Sequence, residues 1–172
     1  MSMKKIAGTA LVLSTLATTG FADPAHDVDF GKPGTEATVD RVIEISMTEM
    51  KFSPAAIDVV EGETIKFVVR NDGRAIHEFA IGVEETWQAH RNEMKKMFKM
   101  GMMNMRKVNH EKMEASGMMH EDPNSVLLEP GGEAELIWTF VEAGDYGFAC
   151  NVPGHFEAGM VGEFNFGGAE QS

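Results

Sequence analysis

The single cysteine of this chain, Cys150, is followed five positions on by His155 and five further on by Met160. A thiolate, an imidazole and a thioether on one short loop form a donor set for copper in both oxidation states. Sulfur donors favour Cu(I) and imidazole suits either ion. A Cys/His/His plane with a weak axial Met changes little between them. Such a loop constrains the fold, because the second imidazole must come from a distant segment. Pro153-Gly154 stands just before His155. Proline stiffens the backbone there and glycine opens conformations that other residues resist, as a tight loop requires.

The flanking segments carry strand signals. Val39 to Ser46 alternates, and Ile57 to Val60 is a short apolar run. Thr64 to Arg70 is β-branched and aromatic, and Ile76 to Ile81 follows the turn Asn71-Asp72-Gly73-Arg74. Strand character returns at Ser125 to Leu128, Ala134 to Phe140, Tyr146 to Cys150 and Gly162 to Phe166. Short strands separated by turn signals predict an all-β sandwich. His77 follows a turn at the start of one of these strands. The other histidines lie in segments read as flexible or helical, so His77 is the natural second imidazole. Zinc fits this set poorly, since structural zinc sites use more Cys or His and rarely Met.

Between the strands lies an insertion of about residues 84–124. Glu84 to about Val108 is rich in helix formers, with acidic residues at its start and Arg106-Lys107 near its end, which predicts a helix with a break near Gly101. His110 to Asn124 reads as a less ordered return. Of 14 methionines, nine fall between Met94 and Met119. Helical geometry points Met102, Met103 and Met105 in different directions, so one core face is not expected to take all nine. Core packing, a Met-rich partner surface and Cu(I) recruitment by soft thioethers all remain open.

Lys4-Lys5, the apolar run Ile6 to Ala17 and the small-residue site Gly20-Phe21-Ala22 read as a secretory signal peptide over residues 1–22, cleaved after Ala22. The run is too short for a comfortable membrane span. The expected location is the bacterial periplasm, without membrane insertion after cleavage. Residues 23–38, with His26, read as a flexible leader, 39–166 as the folded domain and 167–172 as a tail. The net charge of −12 argues against nucleic-acid binding.

By the pieces Asn71…Gly73…His77-Glu78-Phe79 and Tyr146-Gly147-Phe148-Ala149-Cys150-Asn151-Val152-Pro153-Gly154-His155…Gly159-Met160-Val161-Gly162, the chain resembles the cupredoxins, the family of plastocyanin, azurin and the auracyanins. The likeness covers about residues 39–81 and 125–166, and not the insertion. It implies a Greek-key β-sandwich and one type 1 copper with His77, Cys150, His155 and Met160 as its four ligands. The Cys-x4-His-x4-Met spacing resembles the auracyanin type. Glu78 stands where azurin has Asn after the first ligand histidine, a departure that bears on the hydrogen bond to the cysteine sulfur.

A type 1 site beside a Met-rich segment also resembles the periplasmic copper-tolerance cupredoxins. The expected function is therefore one-electron redox activity in copper tolerance, with Cu(I) captured and oxidised through the insertion. The alternative is a diffusible electron-transfer protein between respiratory or photosynthetic partners. A monomer with a separate redox partner protein is expected, and not an enzyme. Catalysis on oxygen or nitrite needs a further copper cluster, and no Ser-His-Asp order, paired acids or phosphate loop offers other chemistry.

Overall fold

A computed structural model of the chain describes residues 30–118 and 122–167. The first of its two five-stranded sheets runs, in spatial order, β1 (Lys32–Pro33), β8 (Glu133–Thr139), β5 (Thr64–Asn71), β2 (Arg41–Thr48) and β3 (Lys51–Ser53). The second runs β4 (Ala56–Val59), β10 (Val161–Phe166), β9 (Gly147–Ala149), β6 (His77–Gly82) and β7 (Ser125–Leu128). β2 pairs with β5 and β4 with β10 in parallel; the other pairings are antiparallel. From β3 to β6 the chain alternates between sheets, a Greek-key winding that forms the all-β sandwich expected from the sequence.

Alternation drives this packing. In β2, Ile45 and Met47 turn inward while Val42 and Glu44 face water. In β5, Ile65, Phe67 and Val69 are fully buried. Between the sheets Phe52, Phe67, Phe79, Phe140, Phe148 and Phe164 form one aromatic cluster, with Phe52–Phe148 centroids at 5.0 Å and Phe140–Phe164 at 4.8 Å. Each such buried ring contributes roughly 1.5–3 kcal/mol. β6 breaks the pattern, with all six residues buried. Its inner face meets the core and its outer face lies under the helix of the insertion.

Two expectations need correction. The sequence predicts a flexible leader through Thr38, yet Phe30 is buried and stacks on Trp138 at 5.7 Å. Lys32 and Pro33 pair with β8, and Glu36–Thr38 forms a 3-10 turn. The glycines here serve close approach, and Gly31 also takes a φ of 141 that favours glycine. A Cβ on Gly31 would stand 2.3 Å from Trp138 Nε1, and one on Gly34 2.6 Å from Thr64 Cγ2. The signal segment, Ala22, His26 and the tail from 168 onward lie outside the described residues.

The second correction concerns the insertion. Its helix α1 (Glu84–Lys99) stops well before Val108. Gly101 adopts φ 68, its amide donates to Phe98 O, and the Met102 amide donates to Met97 O. This is a Schellman closure, which glycine enters without strain. A second helix, α2 (His110–Ala115), forms where the sequence suggests a less ordered return; the Asn109 side chain caps it by accepting from the Lys112 amide.

The strands at the copper-type loop are packed backbone to backbone. A Cβ on Gly147 would fall 2.3 Å from Gly162 O. Gly147→Ala is therefore expected to cost about 1–3 kcal/mol, the usual range for overpacking, read as a lowered denaturation midpoint.

Candidate metal centre

His77 opens β6 directly after the β5–β6 turn. Asn71 holds that turn: its side-chain amide donates to Ala75 O and Leu128 O, and its carbonyl accepts from the Gly73 amide at 3.0 Å. Glu49 accepts from the Arg74 and Ala75 amides. The Ile76 amide donates to Met105 O at 2.8 Å, so the insertion is tied to the residue next to His77.

The loop after β9 closes on itself. The Cys150 amide donates to Met160 O, the Met160 amide to His155 O, and the His155 amide to Val152 O. Gly154 and Gly159 take φ near +90, as such a closure requires. The fold brings together His77, Cys150 and His155, whose donor atoms all lie within 4.8 Å of one another. Cys150 Sγ is 3.3 Å from His155 Nδ1, and the two imidazole centroids are 4.8 Å apart. All three residues are buried, as is Met160, which belongs to the same apolar cluster.

These groups fit a metal and little else. Both ring nitrogens of His77 and Nε2 of His155 are buried with no hydrogen-bond partner among the described residues. Such atoms are costly to bury unmatched. Burial lowers the affinity of His77 for a proton, and burial with His77 alongside brings His155 down to about 4. Both rings are thus neutral near pH 7, with lone pairs to give. Burial pushes the Cys150 thiol up to about 12. A bound cation would reverse this, since coordination deprotonates a thiol.

The departure at Glu78 leaves the sulfur contact in place. The Glu78 backbone N–H donates to Cys150 Sγ at 3.3 Å, and a backbone donor is available whatever the side chain. The carboxylate turns to the other side of the strand. There it accepts from the Asn151 amide at 3.2 Å and the Asn151 side chain at 2.8 Å, and meets His90 Nε2 at 2.8 Å. Burial would raise the Glu78 carboxyl, but His90 and Asn151 outweigh it and hold it low. In the sequence His90 is only one histidine on a helical segment. The contact spans twelve residues and a change of element, and no local pattern marks it.

Helix α1 lies along the ligand loop. Trp87 and Phe156 centroids are 6.1 Å apart, the Arg91 guanidinium lies 3.8 Å over the Phe156 ring, and Lys95 pairs with Glu157. The methionines mostly join the core. Met94, Met97, Met102, Met103 and Met113 are buried and Met118 partly so, while Met100 and Met105 are exposed. One helix face does not take them all, but a helix, a closing turn and a second helix together take most. His110 is exposed on α2, and Met119 and His120 lie outside the described residues.

The pH dependence of the metal-free protein follows. The site imidazoles hold protons less readily when folded, so stability falls as pH drops from about 6.5 toward 4. Burial disfavours a proton on His90, but the Glu78 carboxylate outweighs it and raises His90 to about 9. That contribution is present below about pH 6.5 and is lost as pH rises through 9. Denaturant midpoints of the metal-free protein are expected to be highest near pH 6.5. Each tenfold difference in proton affinity between folded and unfolded chain contributes on the order of 1.4 kcal/mol. A flat profile between pH 4 and 9 would contradict this.

The comparisons agree with this geometry. The family model for copper binding proteins of the plastocyanin/azurin family matches residues 37–166. A copper-resistant cuproprotein CopI of Pseudomonas aeruginosa is 44% identical over 153 residues, covering 83% of this chain and 84% of that protein. One of Rubrivivax gelatinosus is 40% identical over 142 residues, covering 81% and 75%. Among solved structures, reduced auracyanin from Roseiflexus castenholzii superposes with a TM-score of 0.54 at 22% identity, over 75% of this chain and 98% of that one. Auracyanin B does so with 0.57 at 14% identity, over 80% and 96%; both show the fold alone. With the His-Cys-His cluster of the fold, these matches make the protein a type 1 copper protein: the chain belongs to the plastocyanin/azurin family of copper-binding proteins and is a cupredoxin related to copper-resistance proteins.

Proposed function

We propose that the protein is an exported, periplasmic copper-resistance protein that exchanges single electrons at a centre held by His77, Cys150, His155 and Met160. The convergence of a buried thiol with two neutral, unmatched imidazoles on a rigid sandwich supports this reading. The resistance role is supported by relatives bearing the name copper-resistant cuproprotein. Copper held at such a site supplies reversible one-electron exchange between Cu(I) and Cu(II). The chain's part is to keep the rings neutral, donate the Glu78 N–H to the sulfur and exclude water with Phe148, Phe156 and the insertion. Among the described residues no helix is long and apolar enough to cross a membrane.

The insertion receives Cu(I) as substrate. Five of its methionines are committed to the core and Met118 is partly buried, so among the described residues the thioethers most open to an ion from solution are those of Met100 and Met105. Met105 is tied through its backbone to Ile76, the neighbour of His77. A captured cuprous ion gives up one electron and leaves as Cu(II); the electron departs to an oxidised redox partner protein. The proposed role is redox exchange and ion handling, and not oxygen or nitrite conversion.

Two variants test the parts separately. Cys150→Ser is expected to abolish the strong visible absorption of the copper-loaded protein and to fail to restore copper tolerance to a deletion strain. Met100→Leu/Met105→Leu keeps apolar volume and the core intact. It is expected to leave the visible band unchanged, while Cu(I) bound per chain falls and tolerance drops. Unchanged Cu(I) binding in the double variant would remove the insertion from copper capture. Deleting the whole segment would test less, because five buried methionines would go with it.

A further inference from the structure

We infer that His90 is a positioning residue for the copper centre: from the insertion helix it fixes the buried Glu78 carboxylate, and through Glu78 it sets the hydrogen bond to the Cys150 sulfur and the charge beside it. The inference rests on the type 1 centre proposed above and not on Cu(I) capture.

Burial sets the requirement at Glu78. The Glu78 side chain is 3% exposed. An ionised carboxylate in such a place is costly unless paired and hydrogen-bonded. Its oxygens meet three donors. Oε2 accepts from the backbone and the side chain of Asn151, the residue after Cys150. Oε1 meets Nε2 of His90, at 2.8 Å. The backbone N–H of Glu78 is the one that reaches Sγ. Glu78 is therefore a clamp between the first ligand strand and the cysteine loop, and the insertion supplies one of its jaws.

His90 is placed to hold that jaw still. It stands two turns into α1, with its side chain 19% exposed and Nδ1 3.7 Å from Glu93 Oε2. Helix α1 is anchored on either side of it. The Trp87 indole donates to Ala80 O at 3.2 Å, and Arg91 lies over Phe156 and pairs with Glu84. The surrounding carboxylates keep His90 cationic, with its proton retained to about 9.

Two consequences follow for the sulfur. Without His90, Oε1 loses its partner and the carboxylate is freer to swing, loosening Asn151 and the N–H that faces Sγ. Without the imidazolium, the Glu78 charge is uncompensated close to the site. Negative charge beside a metal favours its higher oxidation state, so the reduction potential falls. Bonds and charges around the ligands are among the protein's means of tuning a metal.

The test uses the full-length, copper-loaded protein at about pH 7, with three substitutions. His90→Leu removes charge and hydrogen bond; His90→Gln keeps a donor and removes the charge; His90→Arg keeps both. The cavity of about 300 Å³ that His90 lines gives a longer side chain room. At the poise that half-reduces the wild type, His90→Leu is expected to lower the ratio of reduced to oxidised protein about tenfold, a shift of about 59 mV. Its two sulfur-to-copper absorption bands change in relative intensity. In the metal-free protein, hydrogen-exchange protection of the Glu78 and Asn151 amides falls. His90→Gln is expected to lower the ratio at least threefold with amide protection retained, and His90→Arg to return it to within twofold of wild type. A lowered melting temperature with wild-type potential and bands would overturn the inference, as would equal shifts in the Leu and Arg variants. If the Leu variant does not fold, an unchanged potential in His90→Gln overturns it. Failure of the type 1 assignment itself is distinguishable, because the wild type would then lack the visible bands.

Discussion

The register between β6 and β9 decides what each face of the second sheet can do. Ala80 pairs with Ala149, Ile81 with Phe148 and Gly82 with Gly147. The same register carried on brings Phe79 opposite Cys150 and Glu78 opposite Asn151. Successive side chains alternate across a sheet. His77, Phe79, Ile81, Phe148 and Cys150 therefore share the inner face, where the aromatic core backs the metal site. Glu78, Ala80, Gly82, Gly147, Ala149 and Asn151 share the outer face, where small residues leave room for α1. A Cβ on Gly82 would fall 2.6 Å from Thr86 Oγ1 and 2.9 Å from Trp87 Nε1. A slip of one residue would exchange the faces, putting the thiol under the helix and the carboxylate in the core.

The metal centre is a place where the fold accepts a cost. Unmatched buried nitrogens on His77 and His155 each forgo about 1–3 kcal/mol of hydrogen bonding. The buried aromatic core, with Phe52, Phe79, Phe148 and Phe164, offsets it, and so would an ion when bound. The insertion adds to the same core. Methionine is unbranched and adaptable, and fills irregular gaps better than a branched residue. The space between a curved sheet, a helix end and a second short helix is such a gap. The unusual methionine count thus has a packing cause for Met94, Met97, Met102, Met103 and Met113, whereas Met100 and Met105 stay exposed and have none.

The metal loop is legible in the sequence because its donors are local. Cys150, His155 and Met160 lie on one closed turn, and the turn before His77 announces itself through Asn71 and Gly73. The strands are legible because the sandwich leaves one face wet in most of them. Legibility fails where partners are distant. Phe30 has no periodic neighbours, so a segment of Pro and Gly reads as flexible until Trp138 is seen against it. Gly101 stands out as a break, but its role as a helix stop depends on the amide pairings of Gly101 and Met102. The departure at Glu78 is visible in the sequence, while its meaning is not. Whether a carboxylate there disturbs the sulfur depends on where it points, and His90 fixes that from the insertion.

The insertion therefore has two distinct relations to the centre. Around Met100 and Met105 it offers exposed thioethers and a backbone tie from Ile76 to Met105, the features on which the proposed ion supply rests. Its helix offers His90 to Glu78 and stacks Trp87 and Arg91 on Phe156, a relation of geometry and charge. They use different residues, Met100 and Met105 in the connection after α1 and Trp87, His90 and Arg91 within it. The loop bearing His155 packs on one side against α1, and His155 itself is only 1% exposed, while Gly154, Glu157, Ala158 and Gly159 of the same loop face water. The insertion, which the family match over residues 37–166 spans, therefore covers one side of the ligand loop and supplies the partner that holds Glu78, while the loop's outer edge is left to solvent.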